Sequence, residues 1–236
     1  TDTTNNSKNY PQDALRETPA TAQRTVSTFM STPTSDNTLR VAVVGSGPAG
    51  IYASDLLVKS DVDVHVDLFE RMPAPFGLIR YGVAPDHPRI KGIVKSLHNV
   101  LDKPEIRLLA NVDVGNDITV EELQEYYDAV VFATGATADR DLNVPGAELE
   151  GHYGAGQFVG FYDGNPNFTR DWDLTAEKVA IVGVGNVALD IARVLAKTAD
   201  ELKVTEIPDN VYDNLNASAA KAVSYTHLRA HETDSY

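Results

Sequence analysis

Apolar residues occur along this chain in short β-branched runs, each followed by an Ala- and Leu-rich stretch of helical period. Leu39-Arg40-Val41-Ala42-Val43-Val44 lacks the alternation of a half-exposed strand, and so predicts a parallel strand buried on both faces. Gly45-Ser46-Gly47-Pro48-Ala49-Gly50 follows at once, leading into a helix predicted to reach residue 59. A second strand is predicted over 62–69, closed by Glu70. The next stretch, 71–88, holds Pro73, Pro75, Pro85 and Pro88 with Gly77 and Gly82, which predicts a long structured loop, neither helix nor regular strand. Ile90, Ile93, Val94, Leu97 and Leu101 share one side of a helix predicted over 89–102. Strand-like segments 106–109 and 112–114 come next. Thr119-Val120-Glu121-Glu122 then has capping-box spacing and opens a short helix to residue 127. Residues 128–135 predict a further buried strand that ends on Thr134-Gly135.

The pattern then repeats. Residues 177–182 form another β-branched run, followed by Gly183-Val184-Gly185-Asn186-Val187-Ala188 and a helix predicted over 187–199. Strand, G-x-G-x-x-G/A and helix make the dinucleotide-binding fingerprint in its proper context, and two copies imply two dinucleotide sites. The glycines have physical reasons: Gly45 allows the tight turn, Gly47 lets backbone N–H groups approach a pyrophosphate, and Gly50 lets the helix pack on the strand. The helix N-terminus adds partial positive charge and free donors for an anion. Glu70, at the end of the second strand, is placed to accept from ribose hydroxyls. Ala188 plays the part of Gly50 in the second copy. The strand and the acid or Arg of the second unit, which would separate NAD from NADP, are expected beyond residue 222. The fold class is therefore α/β, with two doubly wound Rossmann-like domains, both incomplete at the C-terminal side.

Composition narrows the chemistry. The chain has 236 residues, 42% of them hydrophobic and 23% charged, and its mean hydropathy is -0.23, all ordinary for a globular protein. No apolar run approaches the roughly 20 residues of a membrane-spanning helix. Cysteine is absent, which removes disulfide relays and Cys-ligated metals from these residues and leaves redox work to bound cofactors. A net charge of -14 gives no basic footprint for nucleic acid. Two dinucleotide sites without cysteine favour a flavin and a nicotinamide exchanging hydride.

The two ends read differently from the middle. Residues 1–38 are rich in Thr and Ser with no apolar period, which predicts a disordered extension. They have neither the apolar core of a secretory signal nor the acid-poor composition of a mitochondrial presequence, so a cytoplasmic location is expected, with Met30 as the natural start. Residues 223–233 match one translated frame of a transposon-end sequencing adapter, a laboratory oligonucleotide. The natural sequence is accordingly expected to leave this chain near Ala222, with 223–236 a non-native tail. His227 and His231 are not taken as a metal pair.

From 39 to 221 the chain resembles the adrenodoxin reductase family, the ferredoxin–NADP reductases of bacterial and mitochondrial type. The resemblance rests on VAVVGSGPAG, PFGLIRYGVAPDHPRIKGI, DAVVFATGA, PGAELEGHYGAGQFVGFYDG and IVGVGNVALDIARVLA. It implies an FAD domain beginning at 39–138 and an inserted NADP domain beginning at 139–222. It also implies electron flow from NADPH through FAD to a [2Fe–2S] ferredoxin. By position, Gly45, Gly47, Pro48, Ala49, Gly50 and Glu70 would hold the FAD adenosine and pyrophosphate, Leu78 would lie along the flavin, Val114 would meet the adenine side, and Gly135 would approach the cofactor. Gly183, Gly185, Asn186, Val187 and Ala188 would meet NADP. His87, in Asp-His-Pro, resembles an active-site histidine and is the catalytic candidate. His65, His98 and His152 are expected to be ordinary strand, helix and loop residues.

The resemblance also places the Arg pair for the 2′-phosphate and the closing FAD segment past residue 222, so this chain alone is expected to bind FAD weakly or not at all. The acidic composition does not itself support an acidic ferredoxin as partner. Two other readings stand beside the reductase. One is a flavin monooxygenase, whose aromatic-Gly-His signature Phe158-Val159-Gly160 fails to complete. The other is a truncated, non-catalytic nucleotide-binding fragment.

Overall fold

The computed structural model describes residues 38–136, 138–139, 142–220 and 222–226. All but Thr38 of the expected disordered extension, Met30 included, lies outside them, as do His227 and His231.

Six strands and nine helices make up these residues: β1 (Leu39–Val44), α1 (Pro48–Val58), β2 (Val64–Glu70), α2 (Leu78–Tyr81), α3 (Pro88–Lys91), α4 (Val94–Leu101), β3 (Ile106–Ala110), α5 (Val120–Tyr126), β4 (Ala129–Phe132), α6 (Ala155–Tyr162), β5 (Lys178–Val182), α7 (Asn186–Ala196), α8 (Ala199–Leu202), α9 (Asp209–Asn216) and β6 (Ala222–Thr226). The first sheet is parallel, in the order β3-β2-β1-β4, with Val41 of β1 beside Val66 of β2 and Ala129 of β4.

Side chains alternate across a strand, so β1 feeds two cores. Val41 and Val43 pack with Ile51 of α1 and with Leu97 and Val100 of α4. Ala42 and Val44 face the other way, onto Leu123 of α5 and Tyr127. Helices on both faces are what an unalternated parallel strand demands. A third core gathers Phe158, Phe161 and Tyr162 of α6, Ile191 and Val194 of α7, Leu202, Val211 and Leu215. Ala84, from the Pro-rich loop of the first unit, is fully buried in it.

Several sequence expectations need correction. The predicted 89–102 helix is two pieces: Pro88 starts one turn, Gly92 ends it, and the exposed Ile90 does not face the core. The loop before it contains α2, a single turn opened by Gly77. Residues 112–114 make only a bridge between Val114 and Ile118, because Asn111 turns to φ +60 and ends β3. β4 is not buried, being at the sheet edge with Phe132 57% exposed. The helix predicted to residue 199 stops at Ala196, since Thr198 caps a new turn by accepting from the N–H of Glu201. The second strand of the second unit, expected beyond 222, is β6, paired in parallel with β5 from Lys178–Ala222 onward. Backbone pairing asks only for extended residues with free N–H groups, and 223–226 meet that whatever their origin. α6 and α9 were not foreseen.

Candidate functional site

Gly45, Gly47, Pro48, Ala49 and Gly50 follow β1, Glu70 closes β2 and Gly135 follows β4, so these predicted first-unit residues gather where the parallel strands end. Gly45 leaves β1 at φ +106, and a Cβ there would collide with the carbonyl oxygen of Ala133 at the exit of β4. The turn therefore needs glycine on both conformational and steric grounds. Gly50 is equally constrained, since its Cβ would press on the Gly45 carbonyl. α1 begins at Gly47 with Pro48 in its first turn; no side chain caps it and no acid sits in that turn, which leaves its N-terminus open to an anion. Gly77 closes on Gly47, with a Cβ on Gly77 only 3.0 Å from the Gly47 Cα. Backbone thus faces backbone here, a cradle that side chains would fill.

Glu70 reaches this loop, but by a contact the sequence did not announce. Its Oε2 accepts from the N–H of Ser46 at 3.0 Å and from its hydroxyl at 2.7 Å, and its Oε1 accepts from the N–H of Met72 at 2.9 Å. The carboxylate is buried and fastens the glycine loop to the chain beyond β2. A ribose hydroxyl would meet it at the lone pair left on Oε1. Phe76 donates its N–H to the Ser46 carbonyl and is held at φ +91 with its ring fully buried, edge-on to His98. A positive φ in a bulky residue stores roughly 1–3 kcal/mol of strain and marks a segment fixed by its surroundings. Leu78 follows, 65% exposed. Val114 lies just past the end of β3, partly buried against Val44, Phe69 and Leu123, and Gly135 sits in open space at φ +69 past β4.

The second loop has the same design. Gly183 turns at φ +137, Gly185 begins α7 with no side-chain cap, and a Cβ on Gly185 would meet nothing. Asn186 opens the helix, Ala188 is buried beneath Gly183, and Val184 and Val187 are about half exposed. Both loops thus offer an uncapped helix N-terminus to an anion, and both fit a dinucleotide pyrophosphate.

His87 connects the two units. Its Nε2 lies 2.9 Å from Asp190 Oδ1 and 2.8 Å from Arg193 Nη2, both on α7. Arg193 also donates to Asp86 through Nε at 2.6 Å and Nη2 at 2.8 Å, and to Asp190 at 2.8 Å. Nη2 carries two hydrogens and faces three such atoms, so the proton state of His87 Nε2 decides how Asp190 is shared. Hydrogen bonds from Arg193 and then Lys197 hold the Asp86 carboxyl well below the usual carboxylate range, and Asp86 in turn raises Arg193.

Asp86, Asp190, Arg193 and Lys197 were not singled out from the sequence. The spacing of the last three did carry a signal, since steps of three and four place them on one helix face. Next to them, Asp163 is buried with no hydrogen-bond partner on either oxygen; burial pushes its carboxyl up to about 8, against the opposing pull of Lys91. Among the described residues no group of three or more His, Cys, Asp or Glu could hold a metal ion, and no helix is long and apolar enough to cross a membrane.

Comparison with known proteins gives a consistent picture. The profile of the pyridine nucleotide-disulphide oxidoreductase family matches residues 39–232. The chain is 46% identical over 195 residues to the mitochondrial NADPH:adrenodoxin oxidoreductase of Salvelinus fontinalis, covering 82% of this chain and 39% of that one. It is 43% identical over 189 residues to the NADPH-ferredoxin reductase FprA of Mycobacterium leprae, covering 78% and 41%. The structure of Mycobacterium tuberculosis FprA in complex with NADPH superposes with a TM-score of 0.76 at 41% identity, covering 79% of this chain and 43% of that one. The chain therefore spans less than half the length of these relatives.

Proposed function

The chain belongs to the pyridine nucleotide-disulphide oxidoreductase family, and from that footing we propose that it is the nucleotide-binding part of an FAD-dependent NADPH–ferredoxin reductase. The observation that carries the reading is the pair of uncapped glycine-loop helix N-termini joined by one continuous segment. That segment meets the first loop at Gly77 and the second helix at Asp86 and His87. The likeness to an NADPH:adrenodoxin oxidoreductase and to the NADPH-ferredoxin reductase FprA supports electron delivery to a [2Fe–2S] ferredoxin. The net reaction is NADPH plus two oxidised ferredoxins giving NADP⁺, one proton and two reduced ferredoxins.

FAD and NADPH, when bound, supply the hydride acceptor and donor. The protein's part is placement. Gly47, Ala49 and Gly50 would receive the FAD pyrophosphate at the start of α1, with Pro48 fixing the first turn and Gly45 the approach. Glu70 would hold the loop and the adenosine ribose, Val114 and Gly135 would border the adenine and flavin sides, and Leu78 would lie along the flavin. Gly183, Gly185, Asn186, Val187 and Ala188 would seat NADP. His87 would carry the proton released in each cycle, its ring oriented by Asp190 and Arg193.

A cytoplasmic location belongs to the same proposal; the similar Salvelinus protein is named mitochondrial, and cell fractionation distinguishes the two. The test of function is NADPH-dependent reduction of a [2Fe–2S] ferredoxin by the full-length reductase of which this chain is the proposed part, loaded with FAD. Reduction abolished by Gly185→Asp, which places a carboxylate where a pyrophosphate would lie, is the expected result. NADPH left unoxidised by the FAD-loaded wild type would refute the reading.

A further inference from the structure

The segment 76–91 is fastened at both ends. At one end Phe76 donates to the Ser46 carbonyl and Gly77 rests on Gly47, so the first glycine loop is held directly. At the other end Ala84 is fully buried in the core of the second unit. Asp86, its side chain 7% exposed, receives two bonds from Arg193 and one of 2.7 Å from Lys197. Lys91 adds an ion pair to Glu206 and stands 3.6 Å from the Asp163 carboxyl. The segment is therefore a strap between the first nucleotide loop and the helix that opens at the second. Arg193 is its main fastening, because one planar guanidinium engages Asp86, Asp190 and His87 together.

Resting on the reading proposed above, we propose that Arg193 is a positioning residue for hydride transfer: through Asp86 and His87 it sets the spacing between the two nucleotide sites. A lysine in its place keeps the charge but cannot grip both oxygens of Asp86 and still reach Asp190. Transfer between two bound nucleotides requires near-contact geometry, and a displacement of about 1 Å costs on the order of 10²-fold in rate. Binding of each nucleotide alone depends on its own loop and does not feel the spacing.

The experiment has a ligand-free arm and a loaded arm. In this chain without nucleotide, Arg193→Lys and Asp86→Asn are expected to raise amide hydrogen exchange at 84–91 at least tenfold while leaving β1 and β2 unchanged. Unchanged exchange in the strap would overturn the proposal. In the full-length, FAD-loaded reductase, Arg193→Lys is expected to slow the single-turnover reduction of FAD at saturating NADPH by about 10- to 100-fold, with a primary isotope effect from deuterated NADPH. The Kd for NADP⁺ should change less than threefold. A loss confined to the Kd with the rate intact would make Arg193 a binding residue and refute positioning. If wild type binds both nucleotides but passes no hydride, the functional reading fails first and the proposal falls with it, whereas an active wild type with an unimpaired variant sinks the positioning role alone.

Discussion

Asp163→Asn should make this protein more stable in alkaline solution and leave it little changed in acid. The Asp163 side chain is 1% exposed and neither oxygen has a hydrogen-bond partner. The nearest cation, Lys91 Nζ, is 3.6 Å away, too far to hydrogen-bond, and is itself paired with Glu206. The neighbouring Tyr162 hydroxyl is buried and unpartnered as well. Burial chiefly, with smaller contributions from Glu206 and Asp190, raises the carboxyl to about 8.

An unfolded aspartate ionises near pH ~3.9. Between these values the folded state keeps a proton that the unfolded state has released, so stability is greatest below about pH 4 and declines as pH rises through the folded value. The slope is about 1.4 kcal/mol per pH unit, or up to about 4 kcal/mol between pH 5 and 8. Asparagine has the shape of the neutral acid and does not titrate. Urea unfolding at pH 5, 6, 7 and 8 would measure the difference. The single Trp172 is a built-in reporter, packed 5.2 Å from Phe158 and 5.6 Å from Phe161 between ring centroids, in the core that Tyr162 joins. Variant and wild type should diverge steadily with pH, reaching a midpoint difference of about 2 M at an m-value of about 2 kcal/mol/M. Parallel profiles, with a constant gap at every pH, would show that Asp163 ionises as an ordinary surface carboxylate and refute the reasoning.

Other consequences are more local. Gly45→Ala places a Cβ on the Ala133 carbonyl at a positive φ, and should cost about 2–4 kcal/mol in urea unfolding together with a loss of FAD affinity. Glu70→Gln keeps one acceptor for Ser46 but turns an amide donor toward the Met72 N–H; a loss of about 2–3 kcal/mol is expected, and an unchanged unfolding midpoint would contradict the role given to Glu70. Thr119→Ala removes the hydroxyl that accepts from the Glu122 N–H at 3.1 Å, and should cost about 1 kcal/mol with no effect on nucleotide binding measured by calorimetry.

What could be read from the sequence follows how far each interaction reaches along the chain. β1 begins and ends where its apolar run does, and the capping box at Thr119 forms as its spacing states, because both are decided within a few residues. The two glycine loops are legible for the same reason: turn, helix start and strand are contiguous. The break at Gly92 is not, since Ile90, Ile93 and Leu97 continue a helical period across it; Gly92 and Ile93 keep right-handed helical dihedrals, and the ladder there only tightens to i→i−3 bonds, from Ile93 to Ile90 and from Lys95 to Gly92. Glu70 was legible as an acid at the end of β2 but its partner was not; Ser46 reads as the variable position of a G-x-G, and only the folded loop brings its N–H and hydroxyl onto the carboxylate. The exposure of β4 likewise depends on which strands stand beside it, a property no single run encodes.

The junction of the 76–91 strap with α7 shows most clearly how local pattern and long-range closure divide the work. Asp190 and Arg193 on α7, with Lys197 at its C-cap, make a charged stripe that an isolated helix would present to water, where such pairs contribute only tenths of a kcal/mol. Asp86 lies over a hundred residues earlier, in a loop whose prolines announce rigidity but not destination. Once the two units pack, the stripe and the loop meet at a 7% exposed carboxylate, and the same four side chains become a linked network. Leaving either half unpaired would then cost several kcal/mol, because a buried charge without its partner is far worse than an exposed one. A local charge pattern thus acquires its energy, and on our proposal its role in placing two nucleotides, only from a contact that the fold closes.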